Sequence, residues 1–154
     1  MKLITRTSIF IILNFAALAI GGLFTGEGVV SDWYKSLNQA PWTPPGWVFG
    51  VAWSTIMICF SFFMALLYKE RNQRKKLTFL YSIQIILNIA WNPVFFHLKN
   101  PAFGFIIILL LTFIVFSLFL YSFRRKKHYS LLILPYALWL CVATSLNFYI
   151  LIYN

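Results

Sequence analysis

Acidic side chains are nearly missing from this chain. Its 154 residues hold three Asp and Glu against thirteen Lys and Arg. With no paired carboxylates, general acid–base chemistry has no visible actors. Charge of either sign is scarce, at 10% of residues. No Asp, Glu, Lys or Arg lies deep in an apolar run, Arg6 standing near the start of the first. An ion- or proton-coupled transporter keeps such a group as a rule. Cysteine and histidine number two each. Cys59 and Cys141 fall inside apolar stretches, so they read as small core residues and not as a disulfide or metal pair. His97 and His128 fall at the ends of apolar runs, on opposite sides of a membrane, and neither suits an axial haem ligand. No metal and no resident cofactor are expected. The phosphate-cradling pattern G-x-x-x-x-G-K-[ST] is absent too.

What the chain has is apolar surface. It is 61% hydrophobic and 20% aromatic. A soluble domain of this size cannot hide so much, so lipid is the solvent over most of the molecule. A span needs about 20 apolar residues. The gaps between charges give five of them, at about 4–24, 47–68, 77–98, 102–123 and 129–153. A β-barrel would need alternating polarity, and runs such as Phe105 to Leu111 do not alternate. The expected fold is an all-α membrane protein, a five-transmembrane-helix bundle forming a single domain over 1–154.

The basic excess belongs to topology and not to nucleic acid. Eleven of the thirteen basic residues sit at the N-terminus and in the second and fourth loops, which share one side; only Lys35 and Lys99 face the other. The positive-inside rule then puts the N-terminus inside and the C-terminus outside, as expected in a bacterial cytoplasmic membrane. The first span starts like a signal peptide, but its apolar run goes on to Phe24 without an A-x-A site, so it reads as a retained helix.

The segment from Trp33 to Trp53 gathers four Trp and three Pro in 21 residues. Its first part belongs to the one long loop, about 25–46, a candidate lid. Pro44 and Pro45 suit a first helical turn. Pro93 and Pro135 interrupt the third and fifth spans, where they should bend the helix or loosen its ladder. Small residues four apart, Ala17/Gly21, Gly22/Gly26 and Gly46/Gly50, allow close helix contacts in the bundle or a homodimer.

Helical rise converts position into depth. Trp53 falls roughly 10–14 Å below the outer surface and Trp139 roughly 15 Å from the inner end. Both rings therefore lie at similar depth, below the interfacial belt that accounts for Trp42, Trp47 and Tyr153. Asn14, Gln84, Asn88, Asn92 and Asn147 also lie within spans. Amides there must pair between helices or face a polar cavity. A Trp-walled cavity with a few Asn donors has the make-up of a ligand site.

Four stretches now resemble a known family: Trp33-Tyr34; Pro41-Trp42-x-Pro44-Pro45-x-Trp47-x-x-Gly50-x-x-Trp53; Leu87-Asn88-x-x-Trp91-x-Pro93-x-Phe95-Phe96; and Pro135-Tyr136-x-x-Trp139-x-x-x-Ala143-Thr144-x-Leu146-Asn147. The chain resembles the translocator proteins, also called tryptophan-rich sensory proteins or peripheral benzodiazepine receptors. The resemblance implies a pocket beneath the first loop for porphyrins such as protoporphyrin IX and for isoquinoline carboxamide and benzodiazepine-type drugs. It carries ligand-binding roles onto Tyr34, Pro44, Trp47, Trp53, Asn88, Trp91, Asn92, Trp139, Ala143, Leu146 and Asn147. It also implies light-dependent porphyrin breakdown through Trp53 and Trp139. Three functions follow as expectations: a tetrapyrrole receptor or sensor, a photo-oxidative porphyrin-degrading enzyme, and a porphyrin or lipophile transporter. Alternating access is disfavoured in five helices without inverted repeats. The sterol motif of animal members lacks its basic residue after Tyr149 here, so tight cholesterol binding is not expected.

Overall fold

A computed structural model describes residues 2–154. All regular structure among them is helical. Five helices are long and apolar enough to cross a membrane. They are α1 (Leu3–Val29), α3 (Gly46–Leu67), α4 (Arg74–Asn92) with its continuation through Pro93–His97, α5 (Pro101–Arg125) and α6 (Lys127–Tyr153). The short helix α2 (Asp32–Ser36) lies in the long loop.

Local chemistry sets several of these ends. Ser31 caps α2 by accepting the Tyr34 N–H at 3.2 Å. Asn100 caps α5 by accepting the Phe103 N–H at 2.9 Å, with Pro101 following it in the first turn. Pro45 stands at the N-cap of α3. Pro93 does loosen the backbone ladder: residues Pro93–His97 form a π-turn, and Leu98 N–H reaches back to the Pro93 carbonyl at 2.9 Å. The chain then reverses through Lys99, whose φ of 50° is the left-handed conformation. Pro135 is carried inside a continuous α6.

α1 outruns the expected span. It continues through Thr25, Gly26, Glu27 and Gly28 to Val29, which shortens the lid to residues 30–45. Those residues are too polar for hydrocarbon but still form backbone hydrogen bonds within the helix. Hydropathy marks where lipid ends, and a helix is free to go further.

The long helices close into a ring. α1 packs on α3, α3 on α6, α6 on α5, α5 on α4 and α4 back on α1. The core fills the middle with Phe60, Phe63, Met64, Val115, Leu118, Ile133, Tyr136 and Leu140, all fully buried. Outward faces are apolar, as a lipid-solvated surface requires. Cys141 lies on that outward face and Cys59 is half-buried, so neither is the core filler expected. Cys141 shares the outward stripe of α6 with Leu138, Phe148 and Ile152.

Of the small-residue pairs, only Ala17/Gly21 works inside the bundle. Ala17 is buried, and a Cβ on Gly21 would meet Asn92 Nδ2 at 2.6 Å. Cβ atoms on Gly22, Gly26, Gly46 or Gly50 would meet nothing within 4 Å.

Candidate ligand site at the lid end

The lid rests on aromatic rings. The π-turn buries Phe95 and Phe96 beneath it. Trp91 stacks on Phe95 with ring centroids 4.9 Å apart and planes at 16°. From above, Trp33 meets Phe95 edge-on at 5.7 Å and Tyr34 meets Phe96 at 5.4 Å. Burial pushes the Tyr34 phenol above its ordinary pKa. The far end of the lid is tied to the chain's last residues. Asn38 donates its backbone N–H to Asn154 Oδ1 at 2.8 Å and its Nδ2 to the Tyr153 carbonyl at 3.0 Å. Trp42 donates its indole N–H to Ser145 Oγ at 3.1 Å.

Below the lid the amides pair between helices. Trp91 Nε1 donates to Asn147 Oδ1 at 2.9 Å, and Asn147 Nδ2 donates to the Pro101 carbonyl at 3.0 Å. Thr25 donates to Asn92 Oδ1 at 2.6 Å, which joins α1 to α4. Deeper, the Tyr136 hydroxyl accepts from Gln84 Nε2 at 2.8 Å and from Asn88 Nδ2 at 2.7 Å. Asn14 donates to Ser61 and accepts from Tyr81. All five amide side chains make at least one interhelical hydrogen bond, but Gln84 does so through Nε2 alone.

The two indoles of the proposed pair line the α3–α6 seam. Trp53 meets Tyr136 edge-on at 5.9 Å, and Trp139 meets Phe49 edge-on at 5.3 Å. The antiparallel helices thus put them on neighbouring rungs, each with its own ring partner. Ala143 and Leu146 continue the α6 face toward the lid, half-buried and buried respectively. Pro44 is half-buried just before α3. Trp47 is 71% exposed and stands apart from this packing, in the manner of an interfacial anchor.

Two buried polar atoms have no hydrogen-bond partner among the described residues, Trp139 Nε1 and Gln84 Oε1. One is a donor and the other an acceptor. Each is costly in hydrocarbon unless something meets it. Tyr136 and Gln84 are additions to the expected site. Tyr136 stood within the Pro135–Trp139 motif, but a tyrosine in an apolar run reads as packing. Phe49, Phe95 and Phe96 joined it for the same reason. No group of three His, Cys, Asp or Glu that could hold a metal occurs among the described residues.

Fold and site together define a class: a small five-helix membrane protein with a tryptophan-rich, lidded end. Comparison with known proteins makes this particular. The model of the TspO/MBR family matches residues 10–153, and the chain belongs to that family. It is 33% identical to the tryptophan-rich protein TspO of Archaeoglobus fulgidus, over 93% of this chain and 94% of the relative. It is 31% identical to the tryptophan-rich sensory protein of Cereibacter sphaeroides, over 88% and 86% respectively. It is 31% identical to the translocator protein of Ovis aries, over 80% and 74%.

Proposed function

We propose that this protein is a membrane receptor or sensor that binds porphyrins, protoporphyrin IX foremost, and isoquinoline or benzodiazepine-type drugs beneath its lid. It would act in a bacterial cytoplasmic membrane with the lid facing outward. The observation that carries this reading is the unpartnered Trp139 Nε1 and Gln84 Oε1, buried near the middle of the bundle on the helices that carry Trp91 and Trp139. A planar macrocycle offers faces for Trp53 and Trp139 to stack on, and its polar groups can meet the orphaned donor and acceptor. Entry of so large a ligand requires the lid to part from Phe95 and Phe96.

Dark titration of the purified protein with protoporphyrin IX, followed by Trp fluorescence, tests the reading. Saturable quenching is expected, with affinity about tenfold or more weaker in Trp53→Phe/Trp139→Phe, as loss of two stacking contacts implies. Equal affinity in the double variant would place the site elsewhere.

The edge contact between Trp53 and Tyr136 favours a second reading, light- and oxygen-dependent porphyrin breakdown. Two oxidisable rings in contact can share a hole left by an excited porphyrin. Absorbance loss under light that is equal in wild type, double variant and plain detergent would remove it.

A further inference from the structure

We infer that the end of the bundle opposite the lid carries a separate site for a phosphate group. A hollow of about 400 Å³ opens there, lined by Arg6, Tyr68, Lys69, Arg71 and Arg74. Its volume lies within the range of small-ligand pockets. Four of the five lining residues are cationic. Lys69, Arg71 and Arg74 lie along the connection from α3 to α4 and its first helical residue, and Arg6 of α1 meets them there.

Glu70 is not among the lining residues. Its Oε2 is turned to another side, where it accepts from Tyr121 at 3.3 Å and from Arg125 at 3.5 Å. Lys69, Arg71 and the terminal nitrogens of Arg74 are the cationic groups the site relies on. α4 begins at Arg74 with no side-chain cap, so the positive end of its dipole adds to the same corner.

The walls are built, not loose. Arg74 donates Nε to the Tyr68 carbonyl at 3.0 Å, which anchors its guanidinium and leaves the terminal nitrogens for a ligand. The Tyr68 hydroxyl bonds to Thr78, and its ring packs edge-on against Phe10 at 5.1 Å. Two Arg forks and a Lys beside a fixed phenol suit a tetrahedral oxyanion with several acceptor oxygens. The depth, at the ends of spanning helices, is that of lipid headgroups, so an anionic phospholipid and a soluble phosphate share the required chemistry.

Native mass spectrometry of the full chain, purified in detergent with added phosphatidylglycerol, tests this. Wild type should retain bound phosphatidylglycerol in preference to phosphatidylcholine. Arg71→Gln/Arg74→Gln should retain it about tenfold less, having lost two charge-assisted contacts. Arg124→Gln/Lys127→Gln removes the same charge from the same end but outside the hollow, and should behave as wild type. Arg71→Gln alone spares the Arg74–Tyr68 bond and should give an intermediate loss, which separates binding from misfolding. A second arm adds inorganic phosphate against chloride at equal ionic strength. Displacement of the lipid by millimolar phosphate assigns the site to soluble phosphates as well; lipid that resists it assigns the site to headgroups held by their tails too. Equal loss in both double variants, or no preference for phosphatidylglycerol in wild type, would overturn the inference, because diffuse surface charge would then explain all retention.

Discussion

At the scale of single residues, Tyr136 does most to organise the middle of the bundle. Its hydroxyl sits in a fully buried position and accepts from two amides of α4. Its ring receives the edges of Trp53 and Phe60. Tyr136→Phe keeps the ring and removes only the acceptor. Gln84 Nε2 and Asn88 Nδ2 then lose their common partner, and Gln84 already has an unpaired Oε1. Leaving buried donors unsatisfied costs about 1–3 kcal/mol. Thermal unfolding in detergent should register that loss, while Tyr129→Phe, at a half-buried ring with no side-chain hydrogen bond, should change little. Equal stability of Tyr136→Phe and wild type would mean that the two amides re-pair elsewhere. The sequence makes the amides legible, since a polar group in a span must find a partner. It does not name the partner, because Tyr136 scores as one more aromatic in an apolar run. Its role depends on which helix lies opposite, and periodicity carries no such information.

Among the elements, the junction of α1, the lid and the π-turn decides how the site is covered. Gly28 is the point of closest approach in that junction. A Cβ there would meet Phe96 Cδ1 at 2.3 Å, and the Gly28 carbonyl accepts from Ser31 Oγ at 2.6 Å where the lid begins. Phe96 has little room to yield, being wedged against Phe95, Trp91 and Tyr34. Gly28→Ala should therefore cost on the order of 1–3 kcal/mol as an overpacking change. It should also speed hydrogen exchange in residues 30–45. Gly22→Ala, which meets nothing within 4 Å, should be neutral or up to about 1 kcal/mol stabilising through helix propensity. If both variants behaved alike, close approach at Gly28 would not be what seats the lid. The five spans were readable from gaps between charges, and most ends fall within a few residues of expectation. The lid-side end of the first is not readable that way, because α1 carries polar residues past the hydrocarbon to reach Phe96. Pro93 announced a break in the ladder but not its form. A π-turn rather than a kink is what turns Phe95 and Phe96 together under Trp33 and Tyr34.

For the molecule as a whole, the open matter is which way it faces. The ring of helices gathers eleven of the thirteen basic residues at the end away from the lid. At about 1 kcal/mol for each Lys or Arg near an anionic leaflet, eleven against two favours that end inside by several kcal/mol. The lid, with Trp42 and Trp47 exposed beside it, would then meet the outer interface. In a variant with Cys59 and Cys141 changed to Ser, Thr43→Cys should react with a membrane-impermeant maleimide on intact cells. Asn72→Cys should react only after permeabilisation. The reverse pattern would turn the lid toward the cytoplasm, and ligands would have to reach it from there. The two proposed sites would separate two kinds of recognition. One is aromatic and amide-lined, with its polar atoms spent between helices apart from Trp139 Nε1 and Gln84 Oε1. The other is cationic and open. A planar apolar ligand at the first should respond to Trp substitution and little to salt, whereas a phosphate at the second should weaken steeply as salt rises, because exposed charges are screened within about 10 Å at 0.1 M ionic strength. Titrating each ligand at low and high salt checks this in a single preparation. Equal salt sensitivity for porphyrin and phospholipid would point to one shared basic surface instead of two sites at opposite ends.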